Sequence, residues 1–101
     1  MPVTDAPLYT LYLAAPNGGP FTPAQEGTAM ALVGARFPSF TVIAARGVHE
    51  GRPLPTLLLQ IADHDRAAVV ALAGALAHQF GQHWVGMVDG ARYTSIAATA
   101  G

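Results

Sequence analysis

The sequence contains no cysteine and no lysine, and only 11% of its 101 residues are charged. Without cysteine, disulfides, thiolate metal sites and a cysteine nucleophile are excluded. The net charge is −1, so no basic field favours nucleic acid as a partner. Because about a quarter of residues are charged in an ordinary globular domain, this chain must expose weakly polar or apolar groups. Such a surface predicts a partner.

The sequence also lacks an apolar run of membrane-spanning length. Residues 67–77 are continuously apolar, but His78 and Gln79 end that run well before the roughly 20 residues that a bilayer requires. The first residues, MPVTDAPLYT, have neither the basic nor the apolar part of a signal peptide. We therefore expect one domain over residues 1–101, in the cytoplasm and without a membrane partner.

The clearest secondary-structure pattern runs from residue 57 to residue 88. Residues 56–62 (TLLLQIA) are apolar on both alternating faces, which is typical of a central strand. Asp63 is a suitable N-cap for a helix whose apolar stripe is Val69, Leu72, Leu76 and Phe80. Gly81 suits the left-handed residue after a helix. This segment predicts strand, helix, strand.

The remaining elements complete a repeated pattern. Residues 8–15 and 40–46 predict strands, and residues 22–25 (TPAQ) predict the capped start of a helix that extends to about Phe37, with Met30 on its inner face. Residues 47–53 are expected to form a loop and residues 97–101 a frayed tail. Asp89-Gly90 fits either a two-residue hairpin turn or a bulge in one long strand. The order β-α-β-β-α-β predicts an α+β fold, the ferredoxin-like sandwich with an antiparallel sheet and two helices on one face.

Two segments carry a family resemblance. RFPSFTVIAARG (residues 36–47) and FGQHWVGMVDGA (residues 80–91) resemble stretches of a small bacterial family of unknown function. The resemblance covers about two thirds of the chain, and it implies a ferredoxin-like domain. It implies no particular activity, cofactor or site residue, because the family has no agreed activity. The family's usual tryptophan is missing from the loop at residues 47–53.

The predicted topology brings several polar side chains to one end of the sheet. The loop at residues 47–53 and the junction after the second helix should both lie there, close to the turn at Asn17 and Gly18. We therefore predict a ligand-binding site composed of Arg46, His49, Glu50, Arg52, Gln82 and His83.

Other candidate sites are less favoured by the spacing. His78 and His83 are five residues apart across Gly81, which differs from the i, i+4 arrangement of two ligands on one helix face. We therefore expect no metal site and no cofactor. The aromatic side chains could stack on a ligand at the open sheet face, but strand spacing favours core or cross-strand packing for them. They are Tyr9, Tyr12, Trp84 and Tyr93.

Three functional hypotheses follow. The first is a non-enzymatic, oligomeric binding module for a small anionic ligand or a protein partner. The second is a small cofactor-free isomerase or lyase of the dimeric α/β-barrel kind, with His83 or His49 as proton carrier. The third is an inhibitor or sequestering protein that acts through an exposed sheet edge or helix face. We expect a homo-oligomer, formed through the open sheet face or through the uncharged side of the second helix.

Overall fold

The computed structural model describes residues 5–99, which form one antiparallel sheet and two helices. The strand order is β2-β3-β1-β4-β5. The elements are β1 (Leu8–Ala14), α1 (Pro23–Gly34), β2 (Thr41–His49), β3 (Arg52–Ala62), α2 (Arg66–Gln79), β4 (Trp84–Asp89) and β5 (Arg92–Ala97). This arrangement confirms the predicted ferredoxin-like α+β sandwich and adds a fifth strand at the β4 edge.

The core lies between the helices and one face of the sheet. Residues paired directly across antiparallel strands share a face, so Leu11, its partner Leu59 and its other partner Met87 all point the same way. They pack with Val33 of α1 and Leu72 of α2. The fully buried or nearly buried strand residues on this side are Tyr9, Leu11, Leu13, Leu57, Leu59, Ile61, Val85 and Met87. Tyr9 is therefore a core residue and not a ligand-stacking one.

The opposite side of the sheet, which we call the open face, is covered by neither of the two helices within residues 5–99. Alternation within the strands places Tyr12, Ile43 and Leu58 there, and the same register adds Trp84 and Tyr93. Of these five, all except Leu58 are exposed by more than a third of their surface. The open face is thus an uncovered apolar surface.

Helix α1 begins as predicted and ends early. Thr22 is the N-cap: its side chain accepts a hydrogen bond from the Gln25 backbone N–H, and the Gln25 side chain accepts one from the Thr22 backbone N–H. The helix ends at Gly34, and not near Phe37. Ala29 and Val33 are the buried residues of this helix. Met30 is 47% exposed, so its predicted inward position is wrong.

Helix α2 is capped by Asp65 and not by Asp63 as predicted. The Asp65 carboxylate accepts from the backbone N–H of Ala68, while the Asp63 carboxylate accepts from the N–H of Asp65 at 2.7 Å. The C-terminal prediction is confirmed, because Gly81 has a φ of 65° and follows the C-cap Phe80. Neither helix found within residues 5–99 has the length and apolar character needed to cross a bilayer.

The segment after β5 packs against α2 instead of fraying. The Thr99 N–H donates to the Gly74 carbonyl and the Ala98 N–H donates to the His83 carbonyl, each at 3.0 Å. A side chain at position 74 would collide with Thr99, which explains why the helix carries glycine there. The predicted frayed tail is therefore wrong for residues 97–99, and the rest of that prediction lies outside the described residues.

Two tight hairpins shape the ends of the sheet. Residues 47–53 do not form the predicted loop: β2 continues to His49, which pairs with Arg52 across a two-residue turn at Glu50 and Gly51. Both turn residues have positive φ, 50° and 77°, a combination typical of a type I′ turn. The connection between β4 and β5 is a hairpin turn and not a bulge. Its two turn residues begin at Gly90, which has a φ of 63°, and not at Asp89.

Candidate functional site

The tip of the β2–β3 hairpin borders a surface cavity of about 480 Å³, which we call the hairpin pocket. Its lining residues are Gly18, His49, Glu50, Arg52, Pro53 and Leu54. Three of the side chains predicted to bind a ligand, His49, Glu50 and Arg52, therefore lie around one cavity. They meet because the hairpin turn reverses the chain within two residues.

The turn allows His49 and Glu50 to line one cavity although they are adjacent in sequence. Neighbours on an extended strand point to opposite faces, but Glu50 leaves the strand with a φ of 50° and lines the same cavity as His49. His49 and Arg52 form a cross-strand pair and so lie side by side on the open face. Among residues 5–99, the single ion pair is Arg66–Asp89, so Glu50 and Arg52 are not paired with each other.

A second site, the aromatic groove, runs across the open face beside the hairpin pocket. It consists of two cavities, of about 180 and 160 Å³, that share lining residues. The shared residues are Tyr12, Ala14, His49, Leu54 and Trp84. The small side chain of Ala14 lies between large ones, and Gly47 lines the second cavity as well. Small groups between Tyr12, Trp84 and Leu54 leave the depression in the sheet.

One wall of the groove is formed by Tyr93, which lies across Gly86 toward Tyr12. The Tyr93 ring end occupies the space that a side chain at position 86 would need. The rings of Tyr12 and Tyr93 meet edge to face with centroids 5.9 Å apart. Desolvation, and to a smaller extent the neighbouring Tyr12, raise the pKa of the Tyr93 hydroxyl above its ordinary value. Tyr93 is therefore held as a neutral phenol through the physiological range.

Two histidines reach the aromatic groove, His49 from the end of β2 and His83 from the connection between α2 and β4. His83 and Gln82, which follow the end of α2, line the same cavity as His49, Tyr12 and Trp84. His83 also contacts the segment after β5, since its backbone carbonyl accepts the Ala98 N–H. His49 lines this cavity and the hairpin pocket, so it joins the two sites.

Five of the six predicted ligand-binding residues thus line one continuous region, and the sixth does not. Arg46 pairs with Pro55 on the helix side of the edge strand β2, opposite the open face. It lines neither the hairpin pocket nor the aromatic groove. The displacement follows from the hairpin: residues 47–49 continue the strand, so alternation sends Arg46 to the other side.

The sequence interpretation undervalued the aromatic side chains of this region. Tyr12 and Tyr93 do pack across strands as predicted, but both stay exposed and line the groove together with Trp84. Alternation with the buried Leu11 and Val85 is the sequence signal that assigns Tyr12 and Trp84 to the uncovered face. Within residues 5–99, no group of three or more His, Asp or Glu side chains is arranged to hold a metal ion.

No family model matches the sequence, and no curated protein matches it either. The resemblance carried by residues 36–47 and 80–91 therefore stays a prediction. A solved structure described as a phage SAM lyase in its apo state is similar to this chain, with a TM-score of 0.69 and 19% sequence identity. The match covers 100% of this chain and 98% of that one. The likeness shows that the two chains share a fold over their whole length.

Proposed function

We propose that this protein binds a sulfonium nucleoside of the S-adenosylmethionine type in the aromatic groove and cleaves it as a cofactor-free lyase. The observation that carries the proposal is the placement of Tyr12, Trp84 and Tyr93 beside His49 and His83 on the open face. The full-length likeness to a phage SAM lyase supports the same choice of ligand.

The groove has the chemistry that such a ligand requires. A purine ring stacks on aromatic side chains, with about 1–3 kcal/mol per stacked base in other proteins. A positive sulfur is attracted to the faces of Trp84 and the tyrosines, as other ligand cations are. Among residues 5–99, no carboxylate lines the groove, so the rings would be the groups that stabilise the positive charge. The neutral state of Tyr93 keeps its hydroxyl able to donate a hydrogen bond.

A histidine is sufficient for the cleavage step that we propose. His49 or His83 removes a proton from the amino acid chain of the ligand, at the carbon next to the one bonded to sulfur. The electrons of that C–H bond form a carbon–carbon double bond, and the C–S bond breaks with its electron pair remaining on sulfur. The sulfonium becomes a neutral thioether, the histidine gains one positive charge, and its proton then passes to water. The step needs no oxidant, metal or cofactor.

The test is incubation of the protein with S-adenosylmethionine, with release of methylthioadenosine followed by chromatography. Loss of the general base should lower the rate by about 10²–10⁴-fold in either His49→Gln or His83→Gln. Matched controls are His64→Gln, at the far end of β3, and His78→Gln, on the exposed side of α2. Turnover that is unchanged in both groove variants would refute the assignment of the general base. Absence of S-adenosylmethionine binding by the wild-type protein would refute the proposed function.

A second candidate function is non-enzymatic binding of a small anionic ligand in the hairpin pocket. It is favoured by the proximity of Arg52 and His49 on one side of that pocket. Its readout is binding without product: inorganic phosphate would bind the protein, and S-adenosylmethionine would remain intact. The sequestering role at a sheet edge requires no pocket at all.

We also propose that the protein is a homo-oligomer in which a second copy covers the open face. The support is the exposure of Tyr12, Ile43, Trp84 and Tyr93 on one uncovered surface. Covering this face would exclude water from the aromatic groove, which strengthens polar interactions with a bound ligand.

A further inference from the structure

We propose that the hairpin pocket is the subsite for the α-amino acid end of the ligand, with Arg52 binding its carboxylate and Glu50 its ammonium group. This inference rests on the proposed function, since it assigns the part of an S-adenosylmethionine-type ligand that the aromatic groove does not hold. It selects ligands with an amino acid end over nucleosides that lack one.

The first support is a pair of opposite charges that face one cavity without forming an ion pair. Glu50 and Arg52 are two residues apart and both line the hairpin pocket. The ion pair found in residues 5–99 is elsewhere, between Arg66 and Asp89. A ligand with both a carboxylate and an ammonium group would give each side chain an opposite charge. The guanidinium of Arg52 is suited to a two-pronged contact with a carboxylate.

The second support is the sign of the charges, which argues against a simple anion. Phosphate or a plain carboxylate would gain from Arg52 but would be repelled by Glu50 in the same pocket. A zwitterion satisfies both. The total charge of the pocket, one positive and one negative side chain beside His49, matches the head group of a free amino acid.

The third support is continuity with the aromatic groove. His49 and Leu54 line both the hairpin pocket and the groove, so a ligand can extend from one to the other without crossing a barrier of unrelated residues. The turn also fixes the backbone positions of Glu50 and Arg52. Glu50 and Gly51 both adopt positive φ, and the His49–Arg52 pair closes the turn. These positions are set by backbone geometry before any ligand arrives.

The test compares two unreactive thioethers by calorimetry. S-adenosylhomocysteine has the amino acid end, and 5′-methylthioadenosine does not. We expect the wild-type protein to bind S-adenosylhomocysteine at least about tenfold more tightly, which corresponds to one charge-assisted contact. Glu50→Gln and Arg52→Gln should each reduce that preference by about tenfold and leave methylthioadenosine binding unchanged. The matched control is Arg46→Gln, which removes an arginine of the same strand pair on the other face of the sheet.

The outcomes separate this inference from the proposed function. If the wild type binds methylthioadenosine but shows no preference for S-adenosylhomocysteine, the proposed function stands and the subsite is refuted. The subsite is likewise refuted if Arg52→Gln keeps the preference, or if phosphate alone binds through Arg52. If S-adenosylmethionine and both thioethers all fail to bind the wild type, the proposed function fails and the subsite fails with it. Circular dichroism of each variant checks that the hairpin remains folded.

Discussion

Tyr12 and Tyr93 meet edge to face on the open side of the sheet, with ring planes inclined by 65°. The contact exists because position 86, directly opposite Tyr12 on β4, is glycine and leaves room for the far end of the Tyr93 ring. Strand β5 thereby contributes a wall to the groove, which residues of β1, β2, β3 and β4 also line. The width of the aromatic groove depends on that glycine.

Gly86→Ala should change ligand binding much more than stability. The new methyl group would displace the Tyr93 ring, but this ring belongs to an exposed side chain that can rotate away. The lower backbone entropy of alanine in the unfolded chain offsets part of the cost, so we expect a change of unfolding free energy within about 1 kcal/mol. Affinity for S-adenosylhomocysteine should fall at least about fivefold if Tyr93 is a wall of the site. Ser95→Ala, on the same face and opposite Gly86, is the matched control; equal affinities in both variants would contradict the proposed wall.

The raised pKa of Tyr93 predicts a loss of stability in alkaline solution. Below the ordinary value of 10.0 the phenol is neutral in both the folded and the unfolded chain, so it adds no pH dependence. As the pH rises through that value, the unfolded state ionises first, because folding raises the pKa of Tyr93. Ionisation lowers the free energy of the unfolded state, so the free energy of unfolding falls. Denaturant melts between pH 8 and 11 should therefore show a steeper decline for the wild type than for Tyr93→Phe. Parallel declines would mean that the pKa of Tyr93 is not raised.

The sequence was sufficient for the fold because two periodicities agree along most of the chain. Alternation in residues 57–61 and the stripe from Val69 to Phe80 each describe one side of the same core, and the structure confirms both. The sequence predicts a loop at residues 47–53, whereas the strands of the β2–β3 hairpin extend to a two-residue turn at Glu50 and Gly51. Two prolines, Pro53 and Pro55, lie in β3 all the same, where the residues that flank them keep the pairing with β2.

The candidate site was predicted only in part, for the same reason. Once residues 47–53 are assigned to strands, alternation decides which face each one occupies, and a loop assignment loses that information. Grouping by the end of the sheet correctly brought His49, Glu50 and Arg52 together. It could not exclude Arg46, which is near in sequence but on the other face. The pocket itself depends on Gly18 and Leu54, whose meeting no local pattern encodes.

Leu59 and Leu72 are expected to be sensitive positions in the core. Both are fully buried, Leu59 in the interior strand β3 and Leu72 on the sheet-facing side of α2. Each change to alanine should lower the unfolding free energy by about 2–5 kcal/mol, through lost burial and the cavity that remains. Met30→Ala, on the exposed side of α1, is the control and should cost much less. A loss below about 1 kcal/mol in either leucine variant, measured by denaturant melts, would contradict the packing described here.

The proposed oligomer predicts a mass of at least twice the 10.4 kDa of one chain by light scattering at micromolar concentration. Ile43→Arg should return the mass to that of one chain, because a buried and unpaired charge in the contact is strongly unfavourable. Ile43 is 39% exposed on the open face and does not line the aromatic groove, so its effect reports association and not ligand contact. Tyr12→Arg should have the same effect on mass.

Ala71→Arg distinguishes the open face from the other candidate surface. Ala71 is exposed on α2, whereas Gly74 of the same helix is already covered by Thr99, which leaves this helix surface smaller than its sequence suggested. The aromatic and branched side chains of the open face bury more apolar area on association than alanines do. We therefore expect Ala71→Arg to keep the wild-type mass. If the oligomer dissociates in Ala71→Arg and persists in Ile43→Arg, the interface is on helix α2. If the wild-type protein has the mass of a single chain, the proposed oligomer is refuted.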